Sequence, residues 1–162
     1  MNRNYDAWVD VPFGTVAIAM NSQLQRIDLL SESLLGTYQL DANPLAAKIY
    51  NQIIRYLTLP SFRCDLPSLP GTQFQQRVWR AIYAIPFGET LTYGQLADQI
   101  SSGPRAVANA CGANPYPIII PCHRVVAING IGGFMQGKTC GVSVKQWLLR
   151  HEGILLTGRD DD

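Results

Sequence analysis

A cysteine and a histidine stand side by side in the stretch Ile120-Pro121-Cys122-His123-Arg124-Val125-Val126. A thiol becomes a strong nucleophile on losing its proton, and imidazole is the side chain whose ordinary pKa suits it to take that proton near neutrality. The pair points to nucleophilic chemistry, with Cys122 attacking an electrophilic carbon and His123 acting as base. The apolar run Ile118-Ile119-Ile120 just before it reads as a buried strand. The thiol is then expected on a rigid support where the chain leaves the core, with Pro121 stiffening the approach. If strand geometry continues through 122 and 123, the two side chains point to opposite faces, so a bridging water or a local twist must connect them. A histidine base needs a third group to orient it, and the candidate is Glu152, at the end of the last helix just before Gly153. The helix dipole disfavours a carboxylate at that end and favours the neighbouring His151, so the placement of Glu152 invites a function.

Activation of the thiol is a weak lever. A cysteine of ordinary pKa is about 3% ionised at pH 7, so a depression of ~3 units raises the thiolate fraction roughly 30-fold. With a Brønsted coefficient of ~0.45, intrinsic nucleophilicity falls about 20-fold over the same range. The larger share of any rate enhancement must come from positioning the electrophile and stabilising the leaving group. An inert buried cysteine is the competing reading of Cys122, since free cysteine is among the most buried residue types.

The elements that must hold these residues fall on either side of a proline- and glycine-rich stretch, Leu66-Pro67-Ser68-Leu69-Pro70-Gly71, which reads as a linker between residues 1–66 and 67–162. Before it, Val16, Ile18 and Met20 alternate with Thr15, Ala17 and Ala19, and Ile27 and Leu29 follow after a polar break, a pattern of antiparallel sheet. Asn43 offers an N-cap and Pro44 a first helical residue, with Leu45, Ile49, Ile53 and Leu57 recurring every four residues until Pro60. One helix is expected to pack on the sheet. After the linker, three pairs have capping-box spacing: Thr72 with Gln75, Thr92 with Gln95, and Ser143 with Gln146. The first of these helices carries Phe74, Val78, Trp79 and Ile82, and the second runs from about Tyr93 to Ile100. A turn through Ser101-Ser102-Gly103 leads to Pro104 and a helix of small residues, Ala106, Ala108, Ala110, Gly112 and Ala113, ending at Asn114-Pro115. Two short helices joined by a glycine-containing turn make a helix-turn-helix candidate.

A helix lined with alanine and glycine brings its backbone close to whatever it faces, most often another helix. If it faces DNA instead, it lacks the long polar side chains that read the major groove, having only Arg105 and Asn109. Lack of bulk suits the minor groove, where Arg105 could enter the base stack and fill the space of an extruded nucleotide. The net charge of +1 does not by itself announce a nucleic-acid ligand. The basic surplus is nevertheless uneven: residues 1–66 hold five basic and six acidic side chains, and 67–159 hold eight and three. Neither a membrane span nor a signal peptide is read, so a cytoplasmic protein is expected. Cys64, Cys111, Cys122 and Cys140 form no CxxC pair and only two histidines are present, so reduced thiols and no metal site are expected.

The motif Pro121-Cys122-His123-Arg124-Val125 matches the signature of the O6-alkylguanine-DNA alkyltransferases, the methylated-DNA-protein-cysteine methyltransferases. Phe74-Gln75-Gln76-Arg77-Val78-Trp79, Ile85-Pro86-Phe87-Gly88-Glu89-Thr90, Tyr93-Gly94-Gln95-Leu96-Ala97, Arg105-Ala106-Val107, Asn114-Pro115 and His151-Glu152-Gly153 also resemble that family, in its order. The likeness covers roughly residues 72 to 153. Before that, only Pro12-Phe13-Gly14 and the following strands are similar to the family's variable first domain. The resemblance implies an α+β protein: a small antiparallel sheet plus helix, RNase H-like, then a helical, winged-helix-like domain carrying the helix-turn-helix and the cysteine.

The resemblance also implies a reaction, direct reversal repair in which O6-alkylguanine, and O4-alkylthymine with it, loses its alkyl group irreversibly to a cysteine. The base is flipped from duplex DNA through the minor groove, no cofactor or metal takes part, and the protein acts once, as a monomer. Carried onto this chain, Cys122 is the acceptor, His123 takes its proton through a water, Glu152 orients His123, Asn114 holds the active-site turn, and Tyr93 protonates guanine N3. Arg105, Ala106, Ala108, Gly112 and Thr92 would meet DNA. Cys111, Pro117, Val125, Phe134 and Met135 would line the base pocket, with the Cys122 and Val125 carbonyls recognising the guanine amino group. The chain departs from the family at Gly132-Gly133-Phe134-Met135-Gln136-Gly137-Lys138-Thr139-Cys140-Gly141, where Phe134 stands in place of a tyrosine and about four residues are extra. Phenylalanine has no hydroxyl to offer O6. Two alternatives have other chemistry: a lesion-binding, alkyltransferase-like protein that flips the base without transfer, which generally carries tryptophan in the cysteine position, and a cysteine hydrolase using a directly bonded Cys122-His123 pair.

Overall fold

The computed structural model describes residues 5–33, 44–132 and 141–155. Three strands, β1 (Ala7–Val11), β2 (Gly14–Met20) and β3 (Leu24–Leu30), form an antiparallel sheet in chain order. Register pairs Val9 with Val16 and Ile18 with Ile27, which gathers the branched side chains on one face. The β1–β2 turn depends on Gly14, whose φ of +139° is open to glycine and whose missing Cβ would lie 1.9 Å from the Leu30 carbonyl oxygen. Ala17 and Ala19 are buried along with Val16 and Ile18, so central β2 is covered on both faces.

Helix α1 (Pro44–Thr58) starts on proline, as its sequence predicts, and buries Ile49, Ile53 and Tyr56. Leu45, the first member of the expected stripe, is more exposed, at 38%. The stretch from Phe62 to Pro70 has no regular structure but is not loose: Leu66 and Leu69 pack against the core, and Gln76 Nε2 donates to the Leu69 carbonyl at 3.1 Å.

Beyond the linker, α2 (Gln73–Tyr83) and α3 (Tyr93–Gln99) each begin with both halves of the capping box in place, Thr72 with Gln75 and Thr92 with Gln95. Helix α4 (Pro104–Gly112) follows the Ser101–Gly103 turn and has proline at its first position. Strands β4 (Leu91–Thr92) and β5 (Val125–Val126) form a short parallel pair that ties the start of α3 to the segment after the Cys-His pair. The chain then reaches α5 (Gly141–His151). One contiguous apolar cluster joins the sheet, α1, α2, α4 and α5, with Val16, Ile53, Trp79, Val107, Ile120 and Leu148 among its members.

Two expectations need correction. Ile118-Ile119-Ile120 is buried but is not a strand: it is a tight turn closed by Ile120 N–H donating to Tyr116 O at 2.9 Å, with Ile118 at φ +78°. Pro117 and Pro121 bracket it without N–H donors, which denies it a ladder, and a short apolar run alone cannot distinguish a buried strand from a buried turn. Helix α5 starts at Gly141, two residues before the Ser143 cap expected from spacing, so Ser143 lies in its first turn. Phe134, Met135 and Cys140 lie outside the described residues.

Candidate active site

The 114–124 segment is built from turns pinned at each step. Asn114 is its fastener: Oδ1 accepts from Tyr116 N–H at 2.8 Å, while Nδ2 donates to the Ile120 carbonyl at 2.8 Å and to Cys122 Sγ at 3.1 Å. The sheet holds the same turn from behind, since Ile27 N–H donates to Pro115 O at 2.9 Å and Tyr116 Oη donates to Leu24 O at 3.0 Å. Cys122–Arg124 form a single 3₁₀ turn where extended strand geometry was expected. Successive side chains in such a turn are about 120° apart, at three residues per turn, so Cys122 and His123 diverge for a different reason than strand alternation.

His123 is fully buried and its Nε2 lies 2.7 Å from Glu152 Oε2. Among the described residues, three donors converge on that oxygen: His123, Arg124 Nη2 at 2.9 Å and Tyr56 Oη at 2.6 Å. The other oxygen accepts from Arg124 Nε at 2.9 Å and from the Gly88 N–H at 3.3 Å. Burial pushes the Glu152 carboxyl up, but hydrogen bonds from His123, Arg124 and Tyr56 outweigh it and hold the group well below the ordinary carboxylate range. Glu152 is therefore a fixed anion. Burial pulls His123 below its usual value despite the carboxylate, so the imidazole rests neutral. Facing an ionised oxygen, Nε2 must carry the proton, which leaves Nδ1 with a free lone pair, buried and without a hydrogen-bond partner among the described residues.

Cys122 is buried too, and burial raises its thiol above the ordinary range, opposed by the Asn114 hydrogen bond and by the charge of Lys145. The resting sulfur is a thiol. Lys145, on α5, is fully buried; burial lowers its ammonium to about 8, while Cys122 and Cys111 act to raise it. Its Nζ donates to the Val125 carbonyl at 2.7 Å and sits 5.7 Å from the Tyr93 ring centre. Tyr93 is held protonated at neutral pH by burial, then by its proximity to Cys111 and Cys122. Of the other described thiols, burial and then Asp65 push Cys64 up to about 12 against the charge of Arg124, and burial and then Cys122 raise Cys111 against the charge of Lys145.

The predicted site residues fall into three places. Asn114 touches the Cys122 sulfur and Tyr93 and Cys111 lie near enough to feel its charge, while Pro117 and Val125 are buried before and after it in the chain. His123 and Glu152 lie together behind it. Arg105 and Ala106 are exposed on the outer face of α4, with Ala108 and Gly112 half-buried at its flanks, while Val107, Ala110 and Cys111 face inward. Trp79 Nε1 donates to the Ala110 carbonyl at 2.8 Å and so fixes α4 against α2. Thr92 spends its hydroxyl on capping α3. Sequence reasoning gave no role to Arg124, Lys145 or Tyr56. Arg124 follows the Cys-His pair directly, and Lys145 is a lone cation on the apolar side of a helix. Tyr56 continues the buried 49, 53 stripe of α1 at helical spacing. Of the three, only Arg124, a cation next to the Cys-His pair, carried a signal that charge and position alone could have raised.

Residues 73–154 match the family model for the 6-O-methylguanine DNA methyltransferase DNA-binding domain. A methylated-DNA-protein-cysteine methyltransferase of Salmonella typhimurium is 52% identical over 88 residues, 53% of this chain; that match spans about half the relative's length, 50%. The protein of that name from Mycolicibacterium paratuberculosis is 39% identical over 163 residues, covering 92% of this chain and 94% of the relative. The crystal structure of Mycobacterium tuberculosis O6-methylguanine methyltransferase superposes with a TM-score of 0.72 at 32% identity, covering 93% and 94% of the two chains. A structure of the Mycobacterium tuberculosis OGT in complex with DNA does so with a TM-score of 0.70 at 34% identity over 90% and 91%. With its motifs in order, its α+β fold and a relative alike over nearly its full length, the chain belongs to the O6-methylguanine-DNA methyltransferase family.

Proposed function

We propose that this protein repairs O6-alkylguanine, and O4-alkylthymine, in duplex DNA by moving the alkyl group irreversibly to Cys122. The observation that carries this reading is Cys122 itself: a neutral thiol whose sulfur accepts from Asn114 and feels the Lys145 charge, beside a histidine locked to an ionised glutamate. In the reaction the thiol proton passes through a water to His123 Nδ1, and Glu152 stabilises the imidazolium that forms. The sulfur then attacks the alkyl carbon, so that an S–C bond forms as the C–O bond breaks. Tyr93 delivers a proton to guanine N3 and lets the base leave neutral. Lys145 stabilises the transient thiolate by its charge and fixes the Val125 carbonyl that receives the guanine amino group. A thioether has no easy exit, so each molecule acts once.

Residues 1–66 form a supporting unit and 67–162 the DNA-binding unit. The outer face of α4 lies along the minor groove, where Ala106, Ala108 and Gly112 allow close approach and Arg105 fills the gap left by the flipped base. The protein acts as a cytoplasmic monomer; among the described residues no helix is long and apolar enough to cross a membrane. The thiol at 122 favours transfer over lesion binding without transfer. The resting geometry gives His123 Nδ1 no bond to the sulfur, which disfavours a hydrolase dyad. Excess protein incubated with duplex DNA containing O6-methylguanine is expected to leave only guanine on base analysis; an intact lesion after long incubation defeats the proposal.

A further inference from the structure

The residues given roles above lie beyond the linker, yet one group that touches the Glu152 carboxylate comes from before it. Tyr56 belongs to α1, 96 residues from Glu152 in the chain, and its hydroxyl donates at 2.6 Å to Oε2, the oxygen that also faces His123. The tyrosine is itself 2% exposed. Burial first, and then the carboxylate's charge, hold its proton in place, so it is a permanent donor.

We propose that Tyr56 is a positioning residue of the site: its hydroxyl holds Glu152 in place and draws charge from the oxygen that His123 uses, so the sheet-and-helix part of the chain sets how firmly His123 holds a proton. The inference rests on the roles given above to His123 and Glu152. An acceptor oxygen shared among three donors polarises each less strongly than one shared between two. Without the hydroxyl, Oε2 pulls harder on the His123 N–H and favours the imidazolium. A protonated His123 has no lone pair at Nδ1 to receive the thiol proton. The acid side of the transfer profile must then move to higher pH.

The groups facing this cluster are few among the described residues. Tyr56 has Glu152, Arg124 and Cys64 around its hydroxyl, its ring lies edge-on to His151 at 5.3 Å and 6.5 Å from His123, and its carbonyl accepts from His151 Nε2 at 3.0 Å. His123 has Glu152, Arg124 and Lys145. Tyr56→Phe removes the hydroxyl and leaves the ring packing. Tyr83→Phe is the matched control, because Tyr83 Oη donates to the Cys64 carbonyl at 2.7 Å on the same side of the molecule without meeting Glu152.

The test is the single-turnover transfer rate on O6-methylguanine duplex between about pH 5.5 and 8.5, with a DNA-free ¹⁵N NMR titration of the imidazoles in the same proteins. Only two histidines need assigning. The midpoint of His123 should rise in Tyr56→Phe, and its rate at the acid end should fall roughly threefold further than at pH 8, the equivalent of about half a pH unit. Tyr83→Phe should follow the wild type. A wild-type midpoint in Tyr56→Phe, or an equal shift in Tyr83→Phe, overturns the proposal. If wild-type protein leaves the lesion intact, the transfer reading fails, while the DNA-free titration still decides the role of Tyr56.

Discussion

The two sides of His123 are built on opposite plans. Behind the ring, Glu152 collects donors from Tyr56, Arg124, Gly88 and His123 and is held ionised; in front, Cys122 has the Asn114 amide on its sulfur and a buried cation nearby and is held neutral. A charge already paid for by several hydrogen bonds needs no reorganisation when the imidazolium forms. The thiol is different, because burial keeps it protonated. This division agrees with the small net gain available from thiol ionisation alone. On the proposed reaction, the protein fixes His123 and Glu152 in advance and leaves the Cys122 thiolate to form on demand.

Substitutions on the two sides should behave differently. The largest effect is expected at the sulfur: Cys122→Ser abolishes the adduct while leaving stability within about 1 kcal/mol, since a hydroxyl preserves the size and the Asn114 bond. Circular dichroism melts and adduct mass spectrometry check the two halves, and an adduct formed at normal rate on another residue would break the comparison. Next comes Glu152→Gln, which leaves Arg124 buried without its counter-charge. It should lower stability by about 3 kcal/mol and transfer by roughly 10²-fold or more. Urea unfolding that matched the wild type would show that the rear network is not the fixed part.

Lys145→Met sharpens the contrast because activity and stability should move in opposite directions. Removing a buried ammonium relieves its desolvation, so stability holds or rises, whereas transfer falls roughly tenfold with loss of the charge near the sulfur. A variant that loses both would place Lys145 among structural residues. The smallest effect is on pH-dependent stability. His123 has a folded value below its ordinary 6.5, so the unfolded chain binds more protons and stability falls as pH drops below that point. Glu152, depressed below its ordinary 4.5, contributes stability present above that value and lost as pH falls further. Denaturation at descending pH should therefore show a first decline from His123 before the Glu152 loss. Constant stability down to pH 5 would contradict a neutral buried imidazole.

Much of the fold was legible where local chemistry decides it. Capping boxes at Thr72 and Thr92 mark two helix starts because those bonds are made within four residues. The third box, Ser143 with Gln146, misplaced a start, since α5 extends to Gly141 and spacing cannot tell a cap from a first turn. The apolar run before Cys122 misled in a related way: burial selects isoleucine equally in a strand and in a turn bracketed by prolines. In the site, Cys122, His123 and Glu152 stood out from residue type and position, and Asn114 through the family pattern. Tyr56 did not, because its partner is 96 residues away and a tyrosine on a helix's inner stripe reads as core. Lys145 shows the limit most clearly, as its full burial depends on how α5 docks against β5.

The most direct test of the central claim is the stoichiometry and position of the transferred group. Limiting protein mixed with excess duplex carrying O6-methylguanine should convert one lesion per molecule and stop, with peptide mapping finding one methyl on Cys122. Repeated turnover, or a methyl on Cys111 or Cys64 with Cys122 unmodified, would contradict the account.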